Sequence, residues 1–547
     1  MSFILFEELN SVTTAVCAVL DDYVNTCAKL RDHYFQERAV DKLDELLDRV
    51  ANEIQLVASY GVKLKRAEAS MKVVRNSSPS VVPISSLPPE ILNHIFHIVL
   101  NNQPDPVDAM RAPFDVSISF PKHPETLSHV CFGWRQIALA AHDLWTRIDL
   151  VLHHPLGPRF LARAQAHVDR AGELPLEVYM VGSPQGRRHF LHSKPDEFED
   201  FDFLAFGNTP MRAINVVSYR GLHDAHYSFI YYCIANCAQQ TLKQLTIRDA
   251  SPSGGSRRFI ESTDNQHDSK SVEIDLPENV LEGVWNSTSV LRLVGLYPYW
   301  TSQAYHQLVD LRLGSENSPF PSISEAQVLE MLKASPRLRI FHILLDVTDP
   351  LPDTTLTVQL HELESVKMNS VAVGGYETEI LRFIIPSQKA LQFSIIGQPT
   401  PAVEQFLRRS NVTQLRMVGW ETYPPSNALR LCPNLQALVL DVWGNKEQVN
   451  FQTTPEHEDG AMTTPMRLQS LYILRCEGLS LTDLQQIVEK HSVHELTLWM
   501  TYPMVGRGDS GSRPAYDYEV SSICPVVNYL KGRGRDRNPM DDWDRSD

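Results

Sequence analysis

Ser510, in "GDSG" at 508–511, and His142, in "AAHD" at 140–143, are the side chains whose neighbours come nearest to a nucleophile and its base. Such a pair works only with a carboxylate that orients the histidine and an oxyanion hole for the developing charge. His142 falls inside a helical pattern, no second glycine follows Gly511, and the text between them has no two-barrel pattern, so no catalytic residue is expected. His153 and His154 are adjacent, which sends their side chains apart in either regular structure; they are expected at the surface. Cys233 and Cys237 stand as C-x-x-x-C in "FIYYCIANCAQQ", with no second pair at zinc-site spacing, and are expected in a helical core. No GxGxxG, P-loop, HExxH or GxSxG occurs, so neither cofactor nor metal is expected, and the chain is read as a non-enzyme. The cysteines at 17, 27, 131, 233, 237, 432, 476 and 524 are scattered and read as reduced, buried thiols.

Charge narrows the partners. A formal net charge of -16 and a pI near 5.7 oppose bulk attachment to nucleic acid or an anionic membrane. The basic "GRGRDR" at 532–537 is followed by "DDWD" and is expected to be part of a solvated, partly disordered tail. No run reaches the ~18 to 20 apolar residues that span a bilayer, and Glu7, Glu8, Asp21 and Asp22 interrupt the apolar N-terminus, so no leader is read. The expected location is cytoplasmic, nuclear or both.

What must carry function, then, is surface. Apolar residues at 16, 20, 23, 27, 30 and 34, and again at 43, 47, 50, 54 and 57, alternate in steps of four and three, the spacing of a coiled-coil seam. Residues 1–75 are therefore expected to form a helical hairpin or coiled coil, either packed on the chain's own body or used for self-association. "NSSPSVVPISSLPPE" ends it as a linker.

Beyond the linker, Ser86 can cap a helix, prolines suit its first turn, and Ile91, Leu92, Ile95, Phe96 and Val99 fall on one face. After a proline-rich loop, Val130, Trp134, Ile137 and Ala141 form a second stripe, closed by Leu144 and Trp145. Leu87-Pro88, Glu90-Ile91, Ile95-Phe96, Val130-Cys131, Trp134-Arg135 and Leu144-Trp145 match in order and type the F-box, and residues 80–150 resemble the F-box-like proteins of basidiomycete fungi. The connection between the helices is longer than in that family, and Gly133 stands where a polar or basic residue is common. The resemblance implies docking on a Skp-type adaptor of a cullin ubiquitin ligase through Leu87, Pro88, Ile91, Leu92, Ile95, Phe96, Val130, Cys131, Trp134 and Trp145. The alternative is a helical cap on the following domain.

Over residues 170–500, L-x-L segments recur: 245–247, 272–274, 291–293, 311–313, 341–343, 366–368, 393–395, 415–417, 438–440, 471–473 and 496–498. Most steps lie in the leucine-rich-repeat range of ~20 to 29 residues, with helical text between. The expected fold is α/β: the N-terminal hairpin and F-box-like helices, then a degenerate leucine-rich-repeat-like solenoid with parallel strands, polar insertions near 183–200, 251–270 and 444–466, and an irregular tail at 501–547. An ordinary α/β sheet is the other reading. In each L-x-L strand the outer residues enter the core and the middle one faces the opposite side. The middle positions are Thr246, Glu273, Arg292, Arg312, His342, Lys367, Ser394, Arg416, Val439, Tyr472 and Thr497. Arg292, Arg312, His342, Lys367 and Arg416 make that face basic, so a protein substrate with an acidic or phosphorylated segment is expected there. A scatter of solvated charges is the alternative.

Overall fold

The computed structural model describes residues 2–36, 43–76, 80–103, 121–152, 156–182, 209–219, 221–237, 240–249, 259–264, 271–315, 321–352, 356–370, 378–419, 425–442, 467–476, 479–506, 513–530, 538–540 and 543. It divides into two compact units, Met1–Ile91 and Leu92–Asp547.

The first unit holds two long helices, α1 (Ser2–Gln36) and α2 (Leu43–Asn76). Tyr23 on α1 donates to Glu53 on α2 at 2.9 Å, which pairs them. The seam is not sealed: Val16, Leu20, Leu30, Tyr34, Leu47, Ile54 and Val57 remain 37 to 64% exposed. Cys17 and Cys27 are exposed for the same reason, and Cys131 is too, so only five of the thiols are buried. A 3-10 turn, Pro83–Ser86, precedes α3 (Pro89–Asn101). Ser86 does not cap that helix; its hydroxyl donates back to the Pro83 carbonyl at 2.6 Å.

In the second unit α3 is followed by α4 (Glu125–Ser128), α5 (Phe132–Ala140) and a 3-10 turn at His142–Trp145. The chain then enters a sheet of 14 strands, every pairing parallel and the order following the chain. These are β1 (Arg147–Leu152), β2 (Leu176–Gly182), β3 (Met211–Ser218), β4 (Gln244–Asp249), β5 (Val290–Val294), β6 (Asp310–Gly314) and β7 (Ile340–Leu344). They continue with β8 (Ser365–Asn369), β9 (Leu391–Ile396), β10 (Val412–Val418), β11 (Ala437–Asp441), β12 (Ser470–Leu474), β13 (Glu495–Trp499) and β14 (Val526–Leu530). Parallel neighbours need a crossover. Among the described residues, α-helices supply eight of them: α6 (Gly157–Ala171), α7 (Asp224–Ala235), α8 (Glu278–Trp285), α9 (Glu325–Ala334), α10 (Pro401–Arg409), α11 (Pro425–Leu431), α12 (Leu481–Lys490) and α13 (Asp517–Ser521). Ser324, Thr400 and Ser480 cap α9, α10 and α12 by accepting from the third amide of each.

The sheet stacks like on like. Leu245, Leu291, Leu311, Phe341, Val366, Phe393, Leu415, Leu438, Leu471 and Leu496 are successive register partners, all essentially buried. A slip of one residue would turn that whole row to the other face, which is why alternation pins the register.

Three features depart from expectation. The segment 272–274 leaves the main sheet: Ser271–Ile274 pairs with Phe259–Ser262, which also pairs with Tyr297–Pro298. That places a strand inside the insertion expected at 251–270. Strands β1 to β3 and β14 lengthen the sheet at both ends, β1 inside the segment read as purely helical and β14 inside the expected tail. The insertions at 183–200 and 444–466 lie outside the described residues.

Candidate interaction surfaces

The helical segment divides its apolar residues between packing and display. Leu92 and Phe96, a turn apart on α3, are buried, and the Phe96 ring sits 4.9 Å from that of Trp134 on α5. Trp145 is buried as well: its indole donates to the Ala138 carbonyl at 2.7 Å, and the Arg170 guanidinium lies 4.4 Å over its ring. Leu92, Phe96 and Trp145 therefore hold the helices together and have no surface to offer a partner. Display falls to others. In the first unit Pro88 and Ile91 are exposed, with Leu87 half-buried. In the second, Ile95 and Trp134 are half-buried, while Ile98, Val130 and Phe132 are 48, 57 and 67% exposed. Ile98 and Phe132 were not singled out from sequence. Cys131, exposed, caps α5: its sulfur accepts from the Trp134 amide at 3.4 Å. The long connection between the helices is tied where it starts and ends, because Gln103 Oε1 accepts from the amides of Lys122 and His123 at 2.9 and 2.8 Å.

A largely buried charge network joins these helices to β1 and α6. Arg163 on α6 donates from Nη1 to Asp149 Oδ2 at 3.0 Å, from Nη2 to the His123 carbonyl at 2.8 Å, and from Nε to Glu125. His167 Nε2 lies 2.9 Å from Glu125 Oε1, and its Nδ1 lies 2.8 Å from the Arg147 carbonyl. Burial pushes the Glu125 carboxyl up, but the hydrogen bonds from His167 and Arg163 outweigh it and hold the group down at about 2. Glu125 and Arg163 carry no motif, and nothing in the sequence pointed to them.

On the sheet, ten of the eleven middle positions form one unbroken row. Thr246, Arg292, Arg312, His342, Lys367, Ser394, Arg416, Val439, Tyr472 and Thr497 are register partners strand by strand, extended by Asp149, Tyr179 and Asn215 before them and Asn528 after. Glu273 is absent, being on the small sheet.

The arginines of this row already have anions, supplied by the chain. Asp310 takes Arg292 Nη2 at 2.7 Å and Arg312 Nε at 2.8 Å. Asp441 takes Arg416 Nη2 at 3.1 Å and Arg475 Nη2 at 2.6 Å. Asp149 takes Arg147 Nε and Arg163 Nη1, both at 3.0 Å. Each of these buried aspartates binds two guanidiniums, which is how like charges tolerate the close strand spacing. His342 is buried with Nε2 3.0 Å from Ser365 Oγ, and Lys367 is half-buried. Arg292, Arg312 and Arg416, three of the five residues expected to receive a foreign anion, thus meet carboxylates of the chain itself.

The far part of the row is covered by the chain's own C-terminal segment. Met540, 1% exposed, packs with Val439 and Leu474, and Tyr472, Trp499 and Trp543 close around them. The Trp543 and Tyr472 rings meet edge-on at 5.9 Å, and the Trp543 carbonyl accepts from Gln392 Nε2 at 3.3 Å. Within the segment expected to be a solvated tail, Met540 and Trp543 thus pack on the sheet. Two buried polar atoms nearby, Ser394 Oγ and Trp499 Nε1, have no hydrogen-bond partner among the described residues.

His142 is exposed, with Nδ1 against the Arg170 carbonyl, while residues 507–512 and His153 and His154 lie outside the described residues. Cys233 and Cys237 are buried on or beside α7, and burial pushes both thiols up. Among the described residues no group of three His, Cys, Asp or Glu could hold a metal, and no helix is long and apolar enough to cross a membrane. Comparison with protein-family models and with curated proteins finds no match for the chain.

Proposed function

We propose that the chain is the substrate-receptor subunit of a Skp-cullin-F-box ubiquitin ligase, acting in the cytoplasm, the nucleus or both. It docks the adaptor through its F-box-like helices and recruits a protein substrate on the row-bearing face of a leucine-rich-repeat-like sheet, with no chemistry of its own. The observation that carries this reading is the division of labour in the helical segment: Leu92, Phe96 and Trp145 fill its interior while Ile98, Val130 and Phe132 stay uncovered. Large apolar side chains held out by a rigid core are what a partner helix can bury, and such anchors dominate interface energetics. Co-purification with a Skp-type adaptor tests it. Capture by the wild-type chain, lost on Phe132→Asp, is the expected result; a chain that never captures the adaptor sinks the reading. Leu87→Ala with Pro88→Ala asks the same of the turn before α3.

A second reading, a non-ligase leucine-rich-repeat scaffold with a helical N-terminal cap, draws on the Glu125–Arg163–Asp149 network, since it seals the helices onto the first strand as a cap requires. Absence of adaptor binding by a folded chain selects it.

A further inference from the structure

We propose that the sheet face from β9 to β13 is a peptide groove for segments with an apolar residue followed three positions later by an aromatic one, and that Met540 and Trp543 of the chain's own C-terminal segment occupy it as an intramolecular competitor. This deepens the receptor reading of the row-bearing face, on which it rests, and does not depend on adaptor docking.

The chain's own segment displays the chemistry. "NPMDDWDRSD", residues 538–547, carries four aspartates and one arginine around Met540 and Trp543. Met540 enters a pocket of Val439, Leu474 and Trp499, and Trp543 lies against Tyr472. Val439 and Tyr472 belong to the row, and Arg416, the row residue beside Val439, lies between the strands that the segment touches. The seven residues 531–537 link the segment to β14, so its local concentration is on the order of 1 mM. Against that, a tail of intrinsic Kd ~10 μM weakens a competing ligand by about 100-fold.

The fit is incomplete in an informative way. Ser394 Oγ and Trp499 Nε1, near the two ends of the footprint, are buried and unbonded among the described residues. An orphaned buried polar atom is a standing cost, and a ligand that bonds it removes that cost. Trp499 Nε1 can only donate, so it calls for an acceptor, which a peptide carbonyl supplies. A partner segment that satisfies both atoms has the advantage needed to displace the tail.

The test uses a fluorescein-labelled peptide of residues 536–547 and the full chain carrying Met540→Glu with Trp543→Ala. Anisotropy is expected to show the peptide binding this variant at least about tenfold more tightly than wild type, with binding lost when Tyr472→Ala is added. Equal binding to wild type and variant, or none to a variant that unfolds as cooperatively as wild type, overturns the proposal. Should the variant not fold, a chain ending at Leu530 takes its place under the same criteria. If neither folds, the segment is part of the core and not a displaceable ligand, and the proposal falls. Adaptor binding enters none of these readouts, so failure here leaves the docking reading standing.

Discussion

Arg292 and Arg312 are register partners on adjacent strands, and one carboxylate, Asp310, holds both guanidiniums. Their repulsion is therefore cancelled from within, and the pair is a structural clamp before it is anything else. Removing the carboxylate takes away the anion that two cations share on a partly buried face. Asp310→Asn is expected to cost about 3 kcal/mol in urea unfolding, against about 1 kcal/mol for Arg292→Met, which leaves Arg312 its partner. A cost below about 1 kcal/mol for Asp310→Asn would show that water, not Asp310, compensates the arginines. Charge reversal of Arg292 and Arg312 loses stability for the same reason, so any loss of ligand capture in such a variant has to be read beside its unfolding curve.

Glu125 gives a pH signature. Its carboxyl is held at about 2 in the folded chain against an ordinary 4.5, a lowered value. The stabilisation is complete above pH 4.5 and disappears as pH falls from there toward about 2. With a discount for its partial exposure the effect is about 2 kcal/mol. Glu125→Gln should be less stable than wild type by that amount at pH 7, and the two unfolding midpoints should converge only as pH approaches 2. Parallel curves across that range would remove Glu125 from the network's energetics.

Val130 and Phe132 stand free of the core, so Val130→Asp and Phe132→Asp should change stability by no more than about 0.5 kcal/mol. Each should nonetheless reduce adaptor capture by tenfold or more, the loss expected of a buried interface anchor. Phe96→Ala is the contrasting variant: it empties a core site and should cost roughly 3 to 5 kcal/mol. Thermal unfolding beside the pull-down separates the two behaviours.

The hairpin's open seam predicts self-association, because apolar residues repeating at coiled-coil spacing are stable in water only when covered. The full chain should sediment as a dimer or larger species, and Leu20→Asp with Ile54→Asp should convert it to a monomer with unchanged unfolding of the remainder. A monomeric wild type at micromolar concentration refutes this.

The alternation of apolar residues was enough to place ten strands, their inward faces and the row of middle residues, since in a parallel sheet each strand must present the same parity to the core and a one-residue slip is prohibitive. β1, β2 and β3 carry the same pattern in "IDL", "VYM" and "INV", starting at 148, 178 and 214, but their steps of 30, 36 and 31 residues up to β4 exceed the ~20 to 29 residue repeat period by which the other strands are recognised. Helical spacing likewise located the packing residues Phe96 and Trp134, yet identity alone could not tell which apolar side chains end up inside. Phe96 and Phe132 differ in burial because of what the rest of the chain places over them. The partners of the charges were decided only in three dimensions. Asp310 meets Arg292 from the next strand, Glu125 meets Arg163 from 38 residues away, and Trp543 reaches Gln392 across 151 residues. Contacts of that separation follow from how strands and helices stack, and no local pattern encodes them.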